Sequence, residues 1–169
     1  PYTSSTTKIL RDNFQELSEE VFKKFKIGKN DLVIDIGSND GNLLSNFLNK
    51  TKILGITPED VGKSAIEKGI PTILDYFTPK LSKEIIKKYG LAKIVTAANV
   101  FAHIDSVGEL LNSIFNLLKD DGIFITESHY LLSLIEENQY DTIYHEHLRY
   151  YSLSSLEYLF NKHNMEIIF

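Results

Sequence analysis

The sequence predicts an α/β fold, a mostly parallel sheet with helices on both faces. Short apolar runs rich in β-branched residues recur along the chain, and each is followed by a stretch whose apolar residues have helical spacing. Strands that alternate with helices in this way form parallel sheets whose two faces are covered. The length of 169 residues, 43% of them hydrophobic, fits one domain with a single core.

These runs place the individual elements. Strands are expected at residues 31–37, 52–56, 71–74, 92–100 and 122–128, and a sixth is expected to begin at residue 165. An amphipathic helix is expected over residues 6–26, and further helices at residues 42–48, 57–69, 79–89, 105–122 and 154–164. Pro58 suits a first helical turn, Asp105 a helix cap, and Ser154 with Glu157 a capping box. We expect a sheet that is truncated at its last strand.

Composition excludes several classes of protein. The net charge of −5 argues against a broad phosphate-binding surface, so nucleic acid is not an expected partner. No apolar stretch approaches the roughly 20 residues that a membrane span needs, and the first residues show no signal-peptide pattern. The absence of cysteine excludes disulfides and thiolate metal sites and fits a reducing compartment, so we expect a cytoplasmic protein.

The stretch "DLVIDIGSNDGNLL", residues 31–44, is expected at the carboxyl edge of the sheet, where parallel sheets bind ligands. A turn without a ligand is one interpretation. A dinucleotide loop would need G-x-G-x-x-G, and a P-loop would end in Gly-Lys-Ser/Thr; both patterns are absent. The pattern that is present, D-x-G-x-x-x-G, is typical of the Rossmann-like class I methyltransferase fold, which binds S-adenosylmethionine.

Each position of this loop has a physical role in such a site. Gly37 lets the chain turn beneath the methionine and ribose of the ligand, and Asn39 is the side chain that, after glycine, best tolerates positive φ. Asp35 would anchor the loop or accept a hydrogen bond from the ammonium group of the ligand. Ser38 and Gly41 complete the predicted cofactor loop.

The end of the second strand departs from the usual pattern. An acid is expected there to bind the ribose hydroxyls, but the chain has Thr57 followed by Pro58. A threonine hydroxyl can bond one ribose oxygen but cannot accept two charge-assisted hydrogen bonds. Cofactor affinity is therefore expected to be weaker than usual, unless Glu59 or Asp60 takes over this contact.

A second motif, "YDTIYHEHLRYYS" at residues 140–152, follows the fifth strand and is dense in polar aromatic residues. A solvated loop with incidental histidines is the simplest interpretation. A metal site is another, because His145 and His147 would share one face of an extended segment. The ligand set would then be completed by one of Glu127, His129 and His103.

The favoured interpretation of this motif is a proton-transfer group that uses no metal. Histidine is the side chain whose ordinary pKa suits proton abstraction near neutral pH. A neighbouring carboxylate raises the basicity of a histidine and fixes its tautomer. We therefore expect His147 to act as a general base, supported by Glu146 and Tyr144.

The sequence resembles the deoxysugar C-methyltransferases, which transfer a methyl group from S-adenosylmethionine to carbon 3 of a nucleotide-linked 4-keto sugar. The resemblance covers essentially the whole chain and is carried by "YTSSTTKILRDNF", "VIDIGSNDGNLL", "AANVFAHID", "GIFITESHYL" and "YDTIYHEHLRYYSL". The last segment is the most specific, because few methyltransferases place Tyr-His-Glu-His after the fifth strand.

The resemblance implies a catalytic role for this segment. His147 would remove the proton next to the ketone, with Tyr144 and Glu146 in support. The resulting enolate would attack the sulfonium methyl group in line. A group that stabilises the enolate oxygen is also needed, and Tyr144 and His145 are the candidates.

The resemblance also implies how the domain is organised. Residues 1–169 would form one S-adenosylmethionine-dependent core domain, in which residues 1–30 are a helical segment over the cofactor site. Asn99 would lie near the reactive end of the cofactor, and a segment that closes over it would include Tyr2, Ser4 and Ser5. Family members usually add an N-terminal zinc-binding cysteine domain and a C-terminal domain that helps to hold the nucleotide sugar. Residues that bind the sugar nucleotide are therefore expected to lie largely outside this sequence.

Three functions remain open from the sequence. The first is an enzyme that methylates carbon in a small-molecule substrate, a nucleotide-linked 4-keto deoxysugar. The second is a small-molecule O- or N-methyltransferase in which His147 deprotonates a hydroxyl or an amine. The third is a truncated module that binds adenosyl ligands without activity, which Thr57 favours and the intact Tyr-His-Glu-His argues against. The sequence makes no prediction of oligomeric state.

Overall fold

A computed structural model describes residues 3–168 of the chain. Its centre is a five-stranded sheet in the order β3-β2-β1-β4-β5, in which all neighbouring strands are parallel. The strands are β1 (Leu32–Ile36), β2 (Lys52–Ile56), β3 (Thr72–Ile73), β4 (Ala92–Ala98) and β5 (Leu118–Glu127). The predicted α/β fold with a parallel sheet is therefore confirmed.

Among the described residues, one α-helix lies in each connection between successive strands, one precedes the sheet and two follow it. The helices are α1 (Lys8–Lys24), α2 (Asn42–Ser45), α3 (Gly62–Glu67), α4 (Pro79–Tyr89), α5 (Val107–Leu117), α6 (Leu131–Glu136) and α7 (Leu153–Lys162). Single turns of 3-10 helix lie at Ser4–Thr6, Phe101–His103 and Tyr140–Thr142. Between residues 3 and 168, no helix combines the length and the apolar character that crossing a membrane requires.

Both faces of the sheet are covered. Because neighbouring residues of a strand point to opposite sides, each strand contributes side chains to two cores. One core packs the sheet against α1 and α2 and includes Phe14, Val33, Leu43, Phe47, Ile53 and Ile94. The other packs it against α4, α5 and α7 and includes Ile34, Leu54, Leu81, Val95, Leu111 and Phe160. Consecutive residues such as Val33 and Ile34 thus lie in different cores, which explains why the strands are continuous apolar runs.

The predicted sixth strand is not formed by the described residues, so that prediction is wrong. After α7 the N–H of Met165 donates to the carbonyl of Phe160 at 3.0 Å, and Met165 and Ile167 pack against the core. The segment therefore covers the core instead of pairing with a strand. A short apolar run does not by itself separate these two possibilities.

Two helices begin later than the sequence suggested. α3 begins at Gly62, so Pro58 precedes the helix and does not occupy its first turn. α5 begins at Val107, and Asp105 does not cap it, because Ser106 is the residue that precedes the helix and no side chain caps it. Both errors arise because a polar or proline residue before a helix marks its start only to within a few residues.

The helix α7 begins earlier than predicted. Its capping box is formed by Ser152 and Ser155, and not by Ser154 and Glu157. The N–H of Ser155 donates to Ser152 Oγ at 3.3 Å, and the N–H of Ser152 donates to Ser155 Oγ at 3.0 Å. A serine hydroxyl thus replaces the usual glutamate or glutamine, which the sequence pattern does not anticipate.

Candidate active site

The glycine loop between β1 and α2 turns back across the carboxyl edge of the sheet. Gly37, Asn39 and Gly41 all have positive φ, at 78°, 51° and 78°. The N–H groups of Gly37 and Ser38 donate to the carbonyl of Ile56 at the end of β2, at 2.8 and 3.0 Å. The loop is therefore fixed against β2, and the predicted left-handed conformation of Asn39 is confirmed.

Gly37 has no room for a side chain. A Cβ built at this position would overlap with Cγ2 of Val100, which belongs to the segment after β4. Asn99, the first residue of that segment, also has a positive φ, of 56°. The segments after β1 and β4 are therefore packed together at the point where the strand order reverses, which is where such sheets bind ligands.

Asp35, the acid of the motif, is buried in β1 with 4% of its surface exposed. The hydroxyl of Thr96 in β4 donates to Asp35 Oδ1 at 2.6 Å. Burial raises the pKa of the Asp35 carboxyl to about 7, and the hydrogen bond from Thr96 offsets this only in part. A cationic ligand group beside Asp35 would favour its charged form.

The pH dependence of stability is expected to change in the variant Asp35→Asn. In the folded protein the Asp35 carboxyl has a pKa of about 7, above its ordinary value of 3.8, so its contribution to stability is complete below pH 4 and lost as pH rises through 7. The asparagine keeps an acceptor for Thr96 without that loss. Each pKa unit corresponds to about 1.4 kcal/mol, so we expect the variant to be about 4 kcal/mol more stable at pH 8 and nearly unchanged at pH 4.

Denaturant unfolding at several pH values measures this effect. Asp31→Asn is the control with the opposite sign, because the hydrogen bond from Lys119 and the backbone N–H of Gly28 lower the pKa of the Asp31 carboxyl. That variant should lose stability at neutral pH and approach the wild type in acid. An Asp35→Asn variant that is less stable than the wild type at pH 8 would contradict the account of Asp35.

Thr57 lies directly after β2 and is 2% exposed. Its Oγ1 accepts a long hydrogen bond, at 3.5 Å, from the N–H of Glu59. Its methyl group packs against Gly62, where a built Cβ would lie only 2.5 Å from Cγ2 of Thr57. Pro58 is exposed beside it. The side chain of Thr57 thus stabilises its own turn, which limits what its hydroxyl can offer to a ligand.

Glu127, the last residue of β5, connects three elements at this edge. Its Oε1 accepts from the side-chain amide of Asn99 at 3.2 Å, and its Oε2 accepts from that of Asn13 in α1 at 3.1 Å. The N–H of Asn99 donates to the carbonyl of Glu127 at 2.8 Å. Asn99 therefore has its side chain engaged within the protein. The sequence suggested Glu127 only as a metal ligand, because no spacing indicates that Asn13 lies opposite it.

The segment before α1 contacts the glycine loop directly. The hydroxyl of Ser4 donates to Oδ1 of Asp40 at 2.7 Å, and the N–H of Ser4 donates to Oδ1 of Asn39 at 2.9 Å. Ser4 and Asn39, both predicted at the cofactor site, are thus brought together, while Tyr2 lies outside the described residues. Asp40 was not predicted, because a polar residue before Gly41 suggests an exposed turn and its carboxylate is fully buried.

His147 is held in one tautomer. Its Nδ1 lies 2.9 Å from the carbonyl oxygen of Thr142, and its Nε2 lies 2.8 Å from the hydroxyl of Tyr144. Because a carbonyl oxygen can only accept, the proton of the neutral ring is on Nδ1 and the lone pair of Nε2 accepts from Tyr144. The basic nitrogen therefore faces Tyr144, and the predicted pair of His147 and Tyr144 is in direct contact.

Four aromatic rings surround the imidazole of His147. Their centroids lie 4.1 Å away for Tyr144, 4.9 Å for His103, 5.1 Å for His129 and 5.8 Å for Tyr150. His103 belongs to the segment after β4 and His129 to the segment after β5. The cluster therefore lies at the carboxyl edge of the sheet. The sequence suggested His103 and His129 only as metal ligands.

Glu146 is not placed against His147. Its side chain is 62% exposed, and its carboxylate lies 4.0 Å from Nε2 of His145, which is itself 90% exposed. The N–H of His147 donates to the carbonyl of Tyr144 at 3.0 Å, so the chain turns here and alternate residues do not share a face. In the part of the chain that the structure describes, no group of histidine, aspartate and glutamate side chains is arranged to hold a metal ion.

The segment that carries His147 is fixed to the sheet by its next two residues. The N–H of Leu148 donates to the carbonyl of Ala102 at 3.0 Å. The guanidinium of Arg149 donates to the carbonyls of Ile104 and Asp105 at 2.6 and 2.9 Å. These bonds connect the motif to the segment after β4, the same segment whose Val100 lies against the glycine loop.

A parallel sheet with a glycine loop after β1 and a second segment packed on it after β4 is the architecture of a class I S-adenosylmethionine-dependent methyltransferase. The sequence agrees with the structure. It matches the family described as "Methyltransferase domain" over residues 2–168, and the chain belongs to that family. The predicted enzyme class and its methyl donor are therefore confirmed.

Known proteins of similar sequence and structure agree with this class. The chain is 34% identical over 169 residues to a protein named C-methyltransferase NovU from Streptomyces niveus. The aligned region covers 99% of this chain and 40% of that protein. The chain thus spans less than half the length of this relative.

Two solved structures share the fold. A SAM-dependent methyltransferase from Archaeoglobus fulgidus superposes with a TM-score of 0.69 at 16% identity, covering 89% of this chain and 68% of that one. The plantazolicin methyltransferase BpumL, solved with a pentazolic desmethylPZN analog and SAH, has a TM-score of 0.70 at 16% identity and covers 94% of this chain and 65% of that one. At these identities the similarity establishes the fold.

Proposed function

We propose that this domain transfers the methyl group of S-adenosylmethionine to the carbon next to the ketone of a nucleotide-linked 4-keto deoxysugar. The observation that carries the proposal is the tautomer of His147, which directs a basic nitrogen toward Tyr144 at the same edge of the sheet as the glycine loop. A C–H bond next to a ketone is weakly acidic, so its methylation needs a positioned base. The identity to a protein named as a C-methyltransferase supports carbon as the acceptor.

The contacts of His147 support the following sequence of steps. Its Nε2 takes the proton, and the electron pair of the C–H bond forms an enolate with the ketone. Tyr144, displaced from Nε2, donates its hydroxyl to the enolate oxygen. The carbonyl of Thr142 keeps its bond to Nδ1–H and stabilises the imidazolium. S-adenosylmethionine supplies the methyl group, which the enolate carbon attacks in line to leave S-adenosylhomocysteine.

The chemistry of the loop fits the cofactor. Asp35 provides a buried carboxylate for an ammonium group, and the positive φ angles of the loop let its backbone pass close beneath a ligand. We assign the cofactor to Ser4, Asp35, Gly37, Ser38, Asn39, Gly41, Thr57, Pro58 and Asn99, and Tyr2 is proposed with them. In this assignment Asn99 acts through its backbone, since its side chain is bonded to Glu127.

Methyl transfer from S-adenosylmethionine labelled with ¹³C in the methyl group tests the acceptor. The chain is incubated with a nucleotide-linked 4-keto deoxysugar, and the product is analysed by NMR. We expect the label on the carbon next to the ketone. In D₂O with S-adenosylhomocysteine, the same carbon should exchange its proton for deuterium. A label on oxygen or nitrogen would support the small-molecule O- or N-methyltransferase instead.

The remaining alternative is a module that binds adenosyl ligands without activity. Binding of S-adenosylhomocysteine without methyl transfer or deuterium exchange would favour it.

Glu146, which the structure does not place against His147, is proposed to act only if substrate binding moves it. The nucleotide-sugar partner and the cytoplasmic location stay predictions.

The variant Thr57→Asp is expected to bind S-adenosylhomocysteine more tightly. An aspartate can still accept from the N–H of Glu59 and adds a charged oxygen for the ribose hydroxyls. A hydrogen bond to a charged group corresponds to about tenfold in affinity, and the burial of the site reduces this gain. Calorimetric titration measures the change in affinity, and an unchanged affinity would contradict the hypothesis that Thr57 weakens cofactor binding. Glu59→Gln is the companion variant: lost affinity there would show that Glu59 binds the ribose.

A further inference from the structure

Asp40 is a fully buried carboxylate beside the cofactor loop. Its Oδ1 accepts from the hydroxyl of Ser4 at 2.7 Å, and its Oδ2 accepts from the ammonium of Lys68 at 3.0 Å. Burial alone would raise the pKa of the Asp40 carboxyl, but hydrogen bonds from Ser5, Ser4 and Lys68 outweigh it and lower that pKa. Asp40 is therefore ionised in the fold and anchors groups from two separate segments.

The segment that Asp40 anchors is the N-terminal strap, residues 3–6. Besides the bond to Asp40, the strap donates the N–H of Ser4 to Oδ1 of Asn39 at 2.9 Å and accepts from the side chain of Asn42 at 3.3 Å. Asn39 is the loop residue with a φ of 51°, a conformation that costs a non-glycine residue about 1–2 kcal/mol. The strap thus bonds to Asn39, the non-glycine residue of the loop that has an unfavourable left-handed conformation.

We propose that Asp40 is a positioning residue that fastens the N-terminal strap to the glycine loop, so that ordering of the strap and binding of S-adenosylmethionine stabilise each other. The inference rests on the proposed placement of the cofactor on this loop. A ligand that holds the loop with Asn39 at positive φ also holds the acceptors of Ser4 in place. An ordered strap in turn reduces the conformational freedom that the loop loses on binding.

A purely structural role for Asp40 makes a different prediction. In that case the ion pair with Lys68 would matter, and the bond from Ser4 would not. Lys68→Met removes the ion pair and keeps Ser4 on Asp40, whereas Ser4→Ala removes only the strap hydroxyl. Asp40→Asn replaces the charged acceptor without changing its shape. Asp12→Asn is the matched control, since Asp12 is 60% exposed on α1 and bonds only to Lys8 among the described residues.

Calorimetric titration of the full chain with S-adenosylhomocysteine tests the proposal. We expect Asp40→Asn to weaken affinity about tenfold and Ser4→Ala about fivefold, in the range of one hydrogen bond to a charged group. The double variant should lose less affinity than the sum of the two single losses, because both changes weaken the same contact between Ser4 and Asp40. Asp12→Asn should bind as the wild type does, and Lys68→Met should bind more tightly than Asp40→Asn.

Hydrogen exchange of the strap distinguishes the proposal from a purely structural role of Asp40. A structural role would not make exchange in the strap depend on ligand binding. S-adenosylhomocysteine should slow exchange of the Ser4 amide in the wild type, and by a smaller factor in Asp40→Asn at the same fraction of bound protein, because only the bond from Ser4 to Asn39 then couples the strap to the loop. If the wild type binds the ligand and Ser4→Ala and Asp40→Asn bind it equally well, the inference is overturned while the cofactor site stands. Additive losses in the double variant would also overturn it. A wild type that does not bind the ligand would overturn both the cofactor placement and the inference.

Discussion

His147→Gln is expected to lower the turnover of methyl transfer by about 10²–10⁴-fold, the usual contribution of a positioned general base. Glutamine has nearly the same reach and can keep a bond to the carbonyl of Thr142, but it has no basic nitrogen. The affinity for S-adenosylhomocysteine should stay within about twofold, because no contact of His147 involves the glycine loop. Turnover by product NMR and affinity by calorimetry are measured on the same preparations.

Deuterium exchange separates a lost base from a lost fold. In D₂O the wild type should exchange the proton next to the ketone, and His147→Gln should not. His163→Gln is the control, since His163 lies at the end of α7 and bonds to Asn112 away from this edge. Equal losses of affinity and turnover in His147→Gln would mean that the residue is structural. Exchange at the wild-type rate would remove His147 from the role of base.

Gly37→Val is expected to abolish detectable binding of S-adenosylhomocysteine. The new Cβ would overlap with Val100, and a β-branched residue strongly disfavours a φ of 78°. The loop must therefore leave its position between β2 and the segment after β4. A loss of at least about 100-fold in affinity, measured by calorimetry, is the expected result, because the backbone shift removes several ligand contacts at once.

Gly69→Ala is the matched control for this variant. Gly69 has nearly the same φ, of 81°, but nothing lies within 4 Å of a Cβ built there. Its substitution should cost only the strain of the left-handed conformation, about 1–2 kcal/mol of stability, and leave binding intact. A circular dichroism melt of each variant shows whether the fold survives. Wild-type affinity in a folded Gly37→Val would refute the assignment of this loop to the cofactor.

Much of the fold followed from the pattern of apolar residues. A central strand of a parallel sheet is buried on both faces, so runs such as that around Val33 and Ile34 stand out without any tertiary information. The predictions that were wrong concern the ends of elements. The sixth strand and the caps of α5 and α7 depend on which hydrogen-bond partner a residue finds, and several partners nearby in the chain could have served equally well.

In the candidate site, too, the sequence suggested some contacts correctly and others wrongly. The pairing of His147 with Tyr144 lies within one turn of the chain, so the motif suggested it. The role of Glu146 was suggested by the same motif, but the turn at His147 directs that carboxylate toward His145. Proximity in sequence indicates which groups can meet, whereas the local turn decides which of them do.

By itself the sequence determined the fold class, the loop that bends after β1 and the class of chemistry, because hydrophobic periodicity, glycine spacing and side-chain type are local properties. The tertiary structure alone decided that Asp40 faces inward to Ser4, that Glu127 joins Asn13 to Asn99, and that His103 and His129 surround His147. These contacts join residues that are far apart in the chain. They form only when the parallel sheet brings the carboxyl ends of its strands to one edge, and no local pattern records which side chains will meet there.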